Sequence, residues 1–200
     1  MRAKRTFFIG ALAIAVIFLT LKQIGLIGLW TDGMAVIVDN TEKYTDAHGE
    51  TVQGSYSVAI DLSDLESNIG KELYNDGTHR IYVFYLDASS VESGGYQIGF
   101  RSSGKSSLDG ATLVSGIHHM TVNDNTFTTT MSAVMTADYK GKSYTSQVAG
   151  LSGLNYRDGD DFFFYLFPGE AYDNNEIDIN ESGIVNVTVT QLYKNKWSKR

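Results

Sequence analysis

The side chains best suited to chemistry are oxygen donors crowded into two neighbouring stretches. Asp158-Gly159-Asp160-Asp161 is followed, after an apolar run, by Glu170, Asp173, Asn174, Asn175, Glu176, Asp178, Asn180 and Glu181. Calcium takes about six to eight oxygen ligands and does not demand one fixed spacing. A Ca²⁺ site would draw on Asp158, Asp160, Asp161, Asp173, Glu176 and Asp178, and no other cofactor is expected. The plainer alternative is a solvated acidic surface. The EF-hand pattern fails: with Asp173 as first ligand, the glycine position holds Asp178 and the final glutamate position holds Ile184.

Other constellations are weaker. His118 and His119 are adjacent, so on a strand their rings point to opposite faces and cannot share a metal. The expectation is one packed ring and one solvated ring. Zinc would need His48 or His79 together with carboxylates brought in by the fold. Paired carboxylates can hydrolyse glycosides, but a chain with 23 acidic residues contains such pairs by chance. Gly150-Leu151-Ser152-Gly153-Leu154 resembles a nucleophile elbow except that its last position is Leu rather than Gly. The chain has no cysteine, which removes thiol catalysis, lipidation at a lipobox cysteine and disulfides together. Asn180-Glu181-Ser182 and Asn186-Val187-Thr188 are formal glycosylation sequons. Among the 12 tyrosines, Tyr96, Tyr139, Tyr144 and Tyr156 sit near turns or on mixed faces and form a candidate ligand-stacking platform.

Residues 1–30 give an address. Arg2, Lys4 and Arg5 precede the apolar run Phe7–Leu21; Lys22 interrupts it, and a second apolar patch runs from Ile24 to Trp30. That order is an export signal. Phe7–Leu21 alone would cover about 22 Å of a ~30 Å hydrocarbon core. A continuous helix through Trp30 would reach about 36 Å, with Lys22 snorkelling and Trp30 at the outer interface. The nearest small-residue cleavage site, Gly33-Met34-Ala35, lies far beyond the apolar run, so a retained anchor is expected, with cleavage and secretion as the alternative. Cations before the span and no acid before Asp32 keep the N-terminus inside. The C-terminal part then lies outside, and the absence of disulfides there suits a bacterial surface.

Charge sharpens this. Eight of the 16 Lys and Arg lie in residues 2–22 or 194–200, leaving eight against all 23 acidic residues between them, a balance of −15. Such a surface repels nucleic acid. The run Lys194–Arg200 is expected as a solvated basic tail.

From residue 51 to residue 193, period-two alternation dominates. Thr51–Leu62, Tyr96–Phe100, Thr126–Tyr139, Ser143–Val148 and Ile184–Tyr193 alternate apolar with polar residues. Ile81–Leu86 and Phe162–Phe167 are apolar on both faces, which predicts interior strands with the outer face covered by the helix or a loop. Ser63-Asp64-Leu65-Glu66 reads as a capping box opening a short helix on Leu65, Ile69 and Leu73, closed by Asn75-Asp76-Gly77. The expected fold is all-β: an antiparallel β-sandwich of about eight or nine strands with one short helix. Jelly-roll and immunoglobulin-like topologies fit equally. Residues 31–50 are expected as a linker or first strand. The functional expectation is a non-enzymatic cell-envelope protein that binds an extracellular protein or glycan ligand. A secreted hydrolase using paired loop carboxylates, and a structural or immunity protein, are the alternatives.

Overall fold

Alternating Val, Ile, Thr and Tyr become strand wherever one face can be buried, and most of the chain is antiparallel strand. The computed structural model describes residues 2–123, 126–154 and 158–200, with side chains described except at 2–8, 93, 122–123 and 126–127. Helices α1 (Arg2–Gln23), α2 (Leu26–Thr31) and α3 (Ala35–Asp39) come first. Strands β1 (Tyr44–Asp46), β2 (Glu50–Thr51), β3 (Ser55–Asp61), β4 (Glu72–Asn75), β5 (Arg80–Ala88) and β6 (Tyr96–Ser103) follow. Next come β7 (Lys105–Ser107), β8 (Gly110–Ser115), β9 (Ile117–Asn123), β10 (Thr126–Met131), β11 (Val134–Tyr139), β12 (Lys142–Thr145) and β13 (Gln147–Leu151). The chain ends with β14 (Asp161–Tyr165), α4 (Gly169–Asp173), β15 (Ile184–Thr190) and β16 (Tyr193–Lys199).

Sheet I has the order β12-β11-β15-β3, and sheet II the order β13-β14-β6-β5-β4. Their inner faces share one core. Val185, Val187 and Val189 on β15 lie between Val58 and Ile60 on β3 and Met135 and Ala137 on β11. Opposite them stand Ile81, Val83, Ile98, Phe100, Phe162 and Phe164 of sheet II. Sheet III runs β1-β16-β8-β7, with β2 also on β16, and covers a second core of Met34, Ile37, Val38, Ala111, Leu113 and Trp197. β9 and β10 form a separate hairpin. As expected, the two doubly apolar strands, β5 and β14, lie inside their sheet.

Five local expectations are corrected. The continuous helix through Trp30 does not form: α1 stops at Gln23, and Gly25 takes the left-handed conformation (φ 86°) before α2 begins. Glycine adopts that geometry at no steric cost, so it ends the helix. The helix after Ser63 is only a 3₁₀ turn, Glu66–Asn68, before the chain extends into β4. The side chain of buried Asn68 holds it: its Oδ1 accepts from Asp61 N (2.8 Å), and its Nδ2 donates to the carbonyls of Asp61, Asp64 and Leu65. Ser63 Oγ accepts from Gly183 N (2.9 Å) instead of capping a helix.

Thr126–Tyr139 is two strands, not one, because Ser132 N and Ala133 N both donate to Gly116 O and break the run. The strand expected at Ser143–Val148 likewise divides at Ser146, whose N donates to Met135 O in sheet I and whose Oγ donates to Leu166 O beside sheet II. Lys194–Arg200 is not a solvated tail. Six of these residues belong to β16, which pairs with β8 on one side and β1 and β2 on the other. Lys194 and Lys196 alternate with buried Asn195 and Trp197, so these two cations lie on the face opposite the core.

Candidate functional site

The acidic residues singled out from the sequence are dispersed by the fold. Asp161, buried on β14, is clamped bidentately by Arg101 of β6 (2.7 and 2.8 Å). Glu176 pairs with Lys142, and Asp178 Oδ1 accepts from Asn180 N (2.9 Å). Asp158 and Asp173 are exposed and separate. Glu181 accepts from Tyr139 Oη (2.9 Å) and Lys140 Nζ (2.7 Å); burial would raise its pKa, but these bonds outweigh it and lower it. Among the described residues, no group of three or more His, Cys, Asp or Glu is placed to hold a metal ion. A depression of about 500 Å³ does gather Asp32, Asp39 and Glu42. All three are exposed.

Asp160 is fully buried and sits at the centre of a polar knot. Its Oδ1 accepts from Ser115 Oγ (2.7 Å), and its Oδ2 lies 2.6 Å from His119 Nε2. Asn195 Oδ1 accepts from His119 N, and Asn195 Nδ2 donates to Ile117 O, each at 2.8 Å. The knot therefore joins β8, β9, β16 and the start of β14. Here the carboxylate lies between hydroxyl and imidazole, so the histidine cannot take a proton from the serine. His118, on the other face, is half-buried against the Tyr193 ring (3.9 Å between centroids). Burial, aided by His119 and opposed by Asp46, lowers its pKa.

The tyrosines expected to form a platform are buried instead. Tyr96, Tyr139 and Tyr144 surround Phe167 at centroid distances of 6.1, 5.7 and 5.3 Å, with Tyr172 at 6.4 Å. Their hydroxyls find partners at the rim: Tyr96 Oη donates to Ile179 O (2.8 Å) and Tyr139 Oη to Ser182 O (2.7 Å). Burial raises the pKa of each, that of Tyr172 to about 12. Tyr156 lies outside the described residues.

The aromatic surface is elsewhere. On the outer face of sheet II, Phe84, Tyr85 and Phe163 meet edge to face or tilted, with centroids 5.5 to 6.4 Å apart. A bulge between Val83 and Tyr85 sends two successive aromatic side chains to the same side. Gly99 lies beneath them; a Cβ there would stand 2.7 Å from Phe163 and 3.0 Å from Phe84. The Arg101 guanidinium, held by Asp161, sits 4.3 Å over the Phe84 ring. Tyr85 is exposed, and Phe84 and Phe163 are half-exposed. Both apolar runs marked these strands, but a run alone cannot show that the outer face stays uncovered.

One further arrangement had no sequence signal, because its partners lie 33 residues apart. Asp76 Oδ2 holds His79 Nδ1 (2.8 Å), and His79 Nε2 lies 2.9 Å from Thr112 Oγ1. Burial would raise the Asp76 pKa, but bonds from the His79 ring and N–H and the Thr78 N–H outweigh it and hold the carboxyl well below the usual range. An ionised Asp76 fixes the proton on Nδ1, leaving Nε2 to accept from the threonine hydroxyl. This is the order orienter, base, hydroxyl. Lys105 and Lys196 pair with Thr112 across the sheet, and all three line a surface depression of about 240 Å³.

No protein-family model matches the chain, and neither does any curated protein or solved structure.

Proposed function

We propose that this is a non-enzymatic cell-envelope protein, an antiparallel β-sandwich tethered by α1, which binds an extracellular protein or glycan through the outer face of sheet II. The facing sheets I and II support the sandwich, with jelly-roll and immunoglobulin-like topologies as the finer readings. The observation that carries ligand binding is the uncovered cluster Phe84, Tyr85 and Phe163. Clustered aromatic rings beside a fixed Arg–Asp pair offer stacking surface and directed hydrogen bonds at little entropic cost. Among the described residues no helix is long and apolar enough to cross a membrane. Support for the tether comes from the surface of α1, where Ile9, Leu12, Ile14, Val16, Ile17, Phe18 and Leu19 are 55–70% exposed. A contiguous apolar helix surface of that kind is stable only when lipid or protein covers it.

The test is binding of the detergent-solubilised full chain to two fractions, wall polysaccharide and envelope protein. Tyr85→Ala with Phe163→Ala should weaken capture of one fraction by about tenfold or more, since interface energy concentrates in such aromatic anchors. Wild-type capture by the double variant would remove the face from consideration.

The Asp76–His79–Thr112 order favours a second reading, ester hydrolysis. Thr112 Oγ would attack the acyl carbonyl while its proton passes to His79 Nε2. That proton would then reach the leaving alkoxide, and water would release the acyl group. A fluorophosphonate should label Thr112 in the wild type and not in His79→Gln; an unlabelled wild-type chain ends this reading.

A further inference from the structure

Where α1 ends, the chain builds a cavity of about 330 Å³. Ile24, Leu29, Tyr44 and Leu108 supply apolar wall, and Lys43 and Lys199 stand at its lining. The Tyr44 hydroxyl is already used, donating to Leu108 O (3.0 Å), so the ring and not the hydroxyl is offered to an occupant. Both lysines are exposed, and neither has an ion-pair partner among the described residues. Lys22, also exposed, lies in the last turn of α1. Asp32, Asp39 and Glu42 line a separate depression, sharing only Val36 and Asn40 with this one.

We propose that this cavity holds one anionic phospholipid from the leaflet in which α1 ends. Its phosphate would sit between Lys43 and Lys199, and its glycerol and upper acyl carbons against Ile24, Leu29 and Leu108. The inference rests on the tethered reading, which brings the end of α1 to headgroup level. An apolar wall and two cations lining one cavity match the two halves of such a lipid. The volume lies at the lower end of the range for small-molecule sites, enough for a headgroup and not for whole acyl chains. The rest of the domain, at −15 between residues 31 and 193, opposes general attraction to an anionic surface. Retention should therefore be confined to one lipid.

The experiment uses the full chain. Membrane fractionation comes first, then reconstitution into nanodiscs of phosphatidylcholine with or without phosphatidylglycerol, then native mass spectrometry in mild detergent. One phosphatidylglycerol per chain should survive conditions that strip phosphatidylcholine. Lys43→Gln with Lys199→Gln should lower its retention about tenfold, while Lys43→Arg with Lys199→Arg keeps it. Soluble glycerol phosphate should not displace it, because the apolar wall contributes. Absence of the chain from membranes would sink the tether and the lipid site together. A membrane-bound chain that retains both lipids equally, or a glutamine pair that behaves as the wild type, would overturn the lipid site alone.

Discussion

Replacing Asp160 with alanine should destabilise the domain by about 3–5 kcal/mol, because it leaves two buried polar groups without partners at about 1–3 kcal/mol each and opens a cavity between them. The loss comes from what is left behind. Ser115 Oγ–H and His119 Nε2, both buried, would lose the oxygens they face at 2.7 and 2.6 Å and could not reach water instead. For a domain of this size the melting temperature should fall by roughly 6–20 °C. Asp160→Asn keeps the shape and part of the bonding, so its fall should be distinctly smaller. Thermal melts of the two variants beside the wild type decide the matter. Superimposable wild-type and alanine curves would mean that the knot fills space and nothing more.

Loss of the final strand should be more damaging still. Trp197→Ala empties the largest side chain from the second core, a change that costs about 3–5 kcal/mol in buried sites. Deleting residues 194–200 removes that ring and Asn195 together. It also removes the partner of β1, one of the two pairings of β2 and most of those of β8. Against a total stability of about 5–15 kcal/mol, the deletion should leave sheet III unformed. Limited proteolysis should then cut rapidly within residues 34–51, which the full chain protects. A deletion variant as resistant as the wild type would return these residues to the status of a solvated tail.

How far the sequence spoke depends on whether a feature was written locally. Alternation at Val58 and Ile60, or at Val185, Val187 and Val189, reports a strand with one buried face, because side chains switch sides at every residue. The 3₁₀ turn at Glu66–Asn68 defeated the capping-box signal because the Asn68 side chain bonds back to Asp61, Asp64 and Leu65, and because the Ser63 hydroxyl is taken by Gly183 N, a distant contact no local propensity describes. Tyr96, Tyr139 and Tyr144 were misplaced because tyrosine reads the same whether its ring lies in a core or on a surface. Phe84 and Tyr85 share a face only through a bulge, and a bulge breaks the very alternation used to assign faces. Charge misled at β16, where Lys194 and Lys196 drew attention from the alternating Asn195 and Trp197 between and beside them.

The place of β16 in sheet III also sets an order in time. Residues 193–199 are made after every strand they join, and Trp197 closes over Met34, Ile37 and Val38 across more than three-quarters of the chain. Contacts so distant in sequence form slowly, because a long loop must close before any is rewarded. A chain still emerging can assemble sheet II, whose last strand ends at Tyr165, and yet holds its second core open. The ends of the fold are thus locked together last, and only a chain translated through Trp197 can present the finished base of the domain.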